Sequence, residues 1–234
     1  MLRGLYSSAA AMNAAATHHD VVSRNLAHVN VPGFKRSHVS FESLASTSHP
    51  NTSDNIGANA RTETDFTPGA FERTGRPLDL AIEGDGFFTL DGPDGPLFTR
   101  NGSFHRTDDG QLVTSSGYPV AGSPTIPPDV ADADIQIAGN GEISVNGNVL
   151  GQLEIAGFTD NSRLRSVGTT LFAAPPAMPP GDSDARVQQG TRERSNVNSV
   201  IEMVQMLAGM RHHEASSKAL QAIAEAVEKH TSAN

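Results

Sequence analysis

The two ends of this chain constrain it most. Residues 2–29 and 197–229 each read as one long helix, and everything between them reads as strands, turns and loops. Two helical stripes so far apart in sequence must find each other or find neighbours outside the chain. That arrangement suits a subunit of an assembly better than a free enzyme.

In the first helix Leu5, Ala9, Met12, Ala16, His19, Ser23 and Leu26 recur at alternating spacings of four and three. This is a heptad-like stripe whose small residues allow a partner helix to approach closely. Leu2, Val22 and Val29 widen its ends. The helix should stop ahead of Pro32, because the residue before a proline avoids the helical region. Pro32-Gly33 then reads as a tight turn with Gly33 at positive φ. The second helix carries Val197, Val200, Ile201, Met203, Val204, Met206, Leu207 and Met210. At about 100° per residue these cover most of its circumference, so it must be buried on several sides. The linkers that separate it from the β region favour other subunits as the cover. Ser199 to Glu202 fits a capping box, with Asn198 as the alternative cap. The later half, with Leu220, Ile223 and Val227, is more ordinarily amphipathic.

Between the helices, residues 42–64 are polar and rich in Ser, Thr and Asn, and read as an extended connection or a plain loop. From Asp65 to Ser166 short apolar runs alternate with turn residues. Leu78, Leu80 and Ile82 precede Phe87-Phe88-Thr89-Leu90, and Asp91-Gly92-Pro93-Asp94-Gly95 follows. Asn101-Gly102, Asp109-Gly110, Asn140-Gly141 and Asn146-Gly147 punctuate the rest. Turns of this kind at this density indicate an antiparallel β domain. Residues 173–185, rich in Pro, read as a linker out of it.

Composition removes several functions. The net charge is −9 and the basic residues are scattered, which argues against a nucleic-acid partner. The chain has no Cys, so disulfides, thiolate chemistry and Cys-type zinc sites are excluded. That composition suits work in an oxidising space. No apolar run approaches the roughly 20 residues of a membrane span, so the chain is not expected to cross a membrane. The N-terminal stretch lacks a continuous apolar core followed by a cleavage site, so no secretory signal is expected there and export would need another route.

Three blocks of sequence resemble the axial rod and hook proteins of the bacterial flagellar basal body. The first is Asn25-Leu26-Ala27-His28-Val29-Asn30-Val31-Pro32-Gly33-Phe34-Lys35-Arg36, with His28 and Val31 departing from the family's usual Asn and Thr or Asn. The second runs from Pro77 to Phe88 and continues through Phe98 to Phe104, Asp109 to Val113 and Gly117 to Val120. The third is Ser195-Asn196-Val197-Asn198 with the helix behind it. The resemblance implies a structural subunit of the rod whose terminal helices pack inside a tubular assembly, with the β domain outside. It implies self and other flagellar rod and hook axial subunits as partners. It also implies export from the cytoplasm through the flagellar type III export apparatus, without a cleaved signal peptide, to a basal body that spans the periplasm. The short stretch from Phe41 to Pro77 and the residues Asp184 to Gly190 look more like the proximal than the distal rod type. Hook proteins normally carry a larger outer domain.

The expected fold is therefore α+β. N- and C-terminal helices form a coiled-coil-like helical domain, and the centre is an antiparallel, mainly β domain. The expected divisions are a rod helix and turn at 1–35, a connecting segment at 36–65, the β domain at 66–190 and a rod helix at 191–234. A fragment spanning 66–190 should fold alone. The residues expected to carry assembly are Leu5, Met12, Asn25, Leu26, Asn30, Pro32, Gly33, Phe34, Ser195, Asn196, Val197, Asn198, Val200, Val204 and Leu207.

No catalytic, cofactor-binding or metal-binding residue is nominated. Neighbours on a helix point about 100° apart, so neither His18-His19 nor His212-His213 can chelate one ion by itself. There is no G-x-S-x-G elbow and no phosphate loop. Glu83, Asp85, Asp91 and Asp94 could supply paired carboxylates for glycan cleavage, but their glycine neighbours favour turn and solvation roles. The alternative from a different class is an envelope-associated, β-rich glycan-binding or glycan-cleaving module with helical dimerisation arms.

Overall fold

The computed structural model describes residues 2–43 and 58–232. Helix α1 spans Leu2–Ala27. Strands β1 (Ser37–Ser43), β2 (Ala58–Thr64), β3 (Phe71–Arg73), β4 (Leu80–Glu83), β5 (Phe87–Gly92) and β6 (Gly95–Thr99) follow. Next come β7 (His105–Arg106), β8 (Leu112–Val113), β9 (Ile135–Ile137), β10 (Glu142–Val145), β11 (Asn148–Gln152) and β12 (Ile155–Gly157). The last strands are β13 (Arg165–Ser166), β14 (Leu171–Ala173), β15 (Gly181–Asp182), β16 (Arg186–Gln189) and β17 (Thr191–Glu193). Helix α2, Ser199–Ser232, ends the series. The fold is α+β.

The chain forms two compact units, and each is discontinuous in sequence. The first gathers α1, the described residues of 36–65, and α2 from Asn198 onward. The second gathers His28–Lys35 with Phe66–Val197. The β unit thus runs beyond 66–190 at both ends, and fragment design has to follow it.

In the helical unit, residues 37–43 and 58–64 pair as an antiparallel hairpin, from Ser37 opposite Thr64 to Ser43 opposite Ala58. The expected connecting segment is therefore strand at both ends, and its middle, 44–57, lies outside the described residues. Composition concealed these strands because their residues are mostly polar. Helix α2 is preceded by Asn198, whose Oδ1 accepts from Val200 N at 3.0 Å and Ile201 N at 3.3 Å. Asn198 is the cap, and Glu202 does not reach back as a capping box requires but turns inward.

The β unit follows the turn chemistry closely. A six-stranded antiparallel sheet has the order β13-β14-β6-β5-β12-β15, and a three-stranded meander has the order β11-β10-β9. Pro93-Asp94 closes the β5–β6 hairpin, in which Gly92 faces Gly95. Asn146 at φ 50° and Gly147 at φ 81° close β10 onto β11, the left-handed pair that a tight hairpin requires. One apolar core collects Leu80, Ile82, Phe88, Leu90, Phe104, Ile126 and Ile143 among others, and a second holds Phe87, Phe98, Ala156, Leu164, Phe172 and Met178. Met178 and strand β15 place the Pro-rich stretch 173–185 inside this unit, against its second core, and not in a linker. An apolar residue amid the prolines was the available signal.

The β unit closes on a buried charge. Glu193, fully buried, accepts from Lys35 Nζ at 2.6 Å and from Gly69 N at 2.9 Å through Oε1. Its Oε2 lies 3.7 Å from Arg100 Nη1. Burial lowers the pKa of Arg100, opposed by the carboxylates of Glu193 and Asp85. Arg100 also donates to the carbonyls of Ile82 and Gly84 and sits 5.1 Å from the Phe87 ring centre. Glu193→Ala leaves two buried cations without their carboxylate. It is expected to cost about 3–5 kcal/mol of unfolding free energy, read as a lower urea midpoint with an unchanged slope.

Candidate assembly surface

Two contacts set the register of the helix pair. The Asn25 side chain lies beside Glu202, with Nδ2 donating to Oε2 at 3.1 Å. A Cβ added to Gly209 would lie 3.6 Å from His18 Nδ1. Going back along α1 goes forward along α2, so the helices are antiparallel. Gly209 is buried and lets the His18 ring lie close to the α2 backbone.

The inward face of α1 differs from the stripe expected from spacing. Among the described side chains of α1, Val21, Val22 and Asn25 are buried, while Met12, His19, Ser23 and Leu26 are half-buried and Ala16 is exposed. Ala11, Ala15, His18, Val22 and Asn25 also follow a 4-3-4-3 spacing, displaced by one position. Pattern alone could not separate two adjacent stripes of similar smallness. The polar Asn25 decides between them, because it finds partners on the inward side. The side chains of Leu5, Leu220, Ile223 and Val227 lie outside the described residues.

Asn25 is fully buried and its amide is used on both sides. Nδ2 donates to Ser37 O at 2.7 Å and Oδ1 accepts from Ser37 N at 2.9 Å, so the amide docks the start of β1 as a neighbouring strand would. The same Nδ2 donates to Glu202. Glu202, also fully buried, accepts from Arg36 Nε through Oε1 at 2.6 Å. Arg36 Nη2 donates to Gln205 at 3.2 Å. Carboxylate, guanidinium and amide form a charge-assisted network of the strong kind.

The opposite face of α2 is apolar and open. Val200, Val204 and Leu207 are 67%, 60% and 59% exposed, and Ile201, Met203 and Met210 are also exposed. On the helical wheel these six occupy about half the circumference, centred opposite Glu202 and Gly209. The helix turns its polar and small residues to its own chain and its large apolar residues to solvent, the reverse of ordinary amphipathicity. The expectation that the chain offers this helix too little cover is met in the free chain. A patch of this kind marks a site for a partner.

The remaining nominated residues lie in the β unit. Gly33 takes φ +68°, and its N donates to Glu193 O at 2.8 Å. Phe34 is buried and stacks on His28 at 4.9 Å. Pro32 is half-buried and Asn30 exposed. Asn196 Nδ2 donates to the carbonyl and the hydroxyl of Thr67, Ser195 Oγ accepts from Val197 N, and Val197 is buried. The structure thus divides the nominated set. Gly33, Phe34, Asn196 and Val197 close the β unit, whereas Val200, Val204 and Leu207 form an open surface. Sequence reasoning nominated none of Lys35, Arg36, Glu193 and Glu202 as assembly residues and gave Glu202 only a capping role, because each needs a partner more than 150 positions away. A charged residue within an apolar helical run, as at Glu202, was the usable hint. His18 and His212 line one cleft between the helices. Among the described residues no group of three or more His, Asp or Glu side chains could hold a metal ion, and no helix is long and apolar enough to cross a membrane.

An inverted helix face and a separately cored β unit are features of a subunit that completes its packing in an assembly. Residues 81–145 match the family model described as the flagellar hook protein FlgE/F/G D1 domain, and residues 188–232 match the flagellar basal body rod FlgEFG protein C-terminal model. The chain is 33% identical to the flagellar basal-body rod protein FlgG of Borreliella burgdorferi, over 94% of each chain. It is 33% identical to the FlgG of Bacillus subtilis, over 93% of this chain and 94% of that one. It is also 33% identical to the flagellar basal-body rod protein FlgF of Rhizobium meliloti, over 88% of this chain and 87% of that one. The chain belongs to the flagellar basal-body rod and hook protein family.

Gly33 offers a direct check on the closure of the β unit. A Cβ there would lie 2.3 Å from Asn101 N and 2.5 Å from Arg100 C, both backbone atoms. Gly33→Val adds that clash to a positive-φ penalty of about 1 kcal/mol. The expected result is a lower unfolding midpoint for the β unit itself, by near-ultraviolet circular dichroism, as well as loss of rod assembly.

Proposed function

We propose that this chain is a structural subunit of the flagellar basal-body rod, joined to other axial subunits through the outward apolar face of α2. The observation that carries this reading is the exposure of Val200, Val204 and Leu207 on a helix whose opposite face is already occupied. Burying an apolar side chain of this size contributes about 1.5–3 kcal/mol, and every repeat of a polymer adds the same contact. Coiled-coil-like packing against neighbouring copies would cover the face. The remaining nominated residues act in two ways. Met12 and Leu26 flank the helix pair, with Leu5 further along α1. Asn30, Pro32, Gly33, Phe34 and Ser195 to Asn198 hold the chain where it enters and leaves the β unit. No step of this role requires catalysis.

Export through the flagellar type III apparatus brings the subunit to the periplasm-spanning rod. We place it in the proximal rod. Relatives named FlgG and FlgF both match the chain, the FlgG of Borreliella burgdorferi over 94% of it and the FlgF of Rhizobium meliloti over 88%, so this placement rests only on the short stretch from Phe41 to Pro77 and on residues 184–190. Gold labelling of a tagged subunit in purified basal bodies should mark the end nearest the inner membrane.

Val204→Asp tests the apolar face. The position is exposed in the free chain, so the monomer's melting temperature should stay within about 1–2 °C of the parent, as for other surface substitutions. A carboxylate in a dry contact costs several kcal/mol, so incorporation into basal bodies and motility should be lost. A strongly destabilised monomer, or normal rods, would contradict the reading.

A further inference from the structure

Helix α2 has two faces that could pack on α1, and the one in use is the less apolar. Val200, Val204 and Leu207 would bury well against Val21, Val22 and the alanines of α1, and the hydrophobic effect favours that packing. Instead Glu202, Gln205 and Gly209 face inward. Glu202 lies two residues from both Val200 and Val204, about 200° around the helix. Whatever fixes Glu202 inward also fixes the apolar face outward.

We propose that Glu202, held by Asn25 and Arg36, is the positioning residue that keeps the apolar face of α2 available for assembly. The inference rests on the role given above to that face and adds the device that presents it. Turning α2 on its axis would break the Glu202 bonds to Asn25 Nδ2 and Arg36 Nε and leave a buried amide at Asn25 with a donor unused. Charged and amide groups of this kind select one packing over another because the alternative leaves them unpaired. A plain apolar contact at the same place would not discriminate, because either face would fill it.

The chain has no Cys, so single cysteines report the facing directly. Val204→Cys samples the outward face. Gly209→Cys samples the inward face, where the added Cβ makes only an ordinary contact with His18. In the full-length parent, maleimide should label position 204 fast and position 209 slowly. In an Asn25→Leu/Glu202→Leu background the rates should exchange, with 204 slowed by about tenfold or more as the thiol becomes buried in apolar surroundings, and 209 accelerated. The melting temperature should fall, because Asn25→Leu also removes the two bonds to Ser37, so the exchange of labelling rates, and not stability, is the readout. Glu202→Gln keeps an acceptor for Asn25 and should retain the parental order of rates. Unchanged rates in the double variant would overturn the proposal. So would acceleration at both positions, because the node would then hold the helix as a whole and not its facing. Failure of Val204→Asp to block assembly would instead count against the role of the face, whatever the labelling shows.

Discussion

A carboxylate with no exposed surface sits at the centre of the helical unit. Burying a charged group is costly unless it is paired, and Glu202 has two partners, from different parts of the chain: Asn25 near the end of α1 and Arg36 just ahead of β1. That requirement brings residues 25, 36 and 202 to one point. It sets the register of the helix pair, docks the hairpin through the two bonds between Asn25 and Ser37, and decides which side of α2 faces away. The outward apolar surface is therefore a consequence of a polar contact on the other side of the same helix.

The β unit repeats the logic with a different ion pair. Lys35, next in sequence to Arg36, meets Glu193, just ahead of the segment that leads into α2. Two consecutive basic residues thus serve two units, each pairing with a buried glutamate from near the C-terminal end. Neither pair can form until residues more than 150 positions apart have come together.

Much of the architecture was legible in the sequence for plain reasons. Helix lengths followed from periodicity, and Pro32 marked the region where α1 had already ended. The Asn-Gly and Asp-Gly dipeptides placed the β9–β10–β11 meander and the β7–β8 turn. Gly33 holds the positive φ its position demands. What escaped was set by distant partners. The hairpin of β1 and β2 is too polar to read as strand, and its residues pair with each other across a long gap. The inward stripe of α1 is displaced by one position because Asn25, not an apolar residue, anchors it. The Pro-rich stretch looked like a linker because prolines at that density usually mark one, yet Met178 pins it to a core. Among the residues expected to carry assembly, the exposure of Val200, Val204 and Leu207 was readable because the chain offers a helix so rich in apolar residues too little cover, although the apolar residues take only one face and not the whole circumference. Glu202 and Arg36 were not, because their function exists only as a pair.

On the proposed role, the apolar face of α2 is open to water in the free subunit and covered in the rod. Met203 and Met210 lie on that face, half exposed in the free chain, and thioether oxidation by peroxide follows exposure. Mass spectrometry of peroxide-treated free subunit and of peroxide-treated intact basal bodies reads both residues in both states. Ready oxidation of Met203 and Met210 in the free chain, with strong protection of both in the basal body, is the predicted result. Equal oxidation in the two states would contradict the account, because the face would then remain open in the assembled rod.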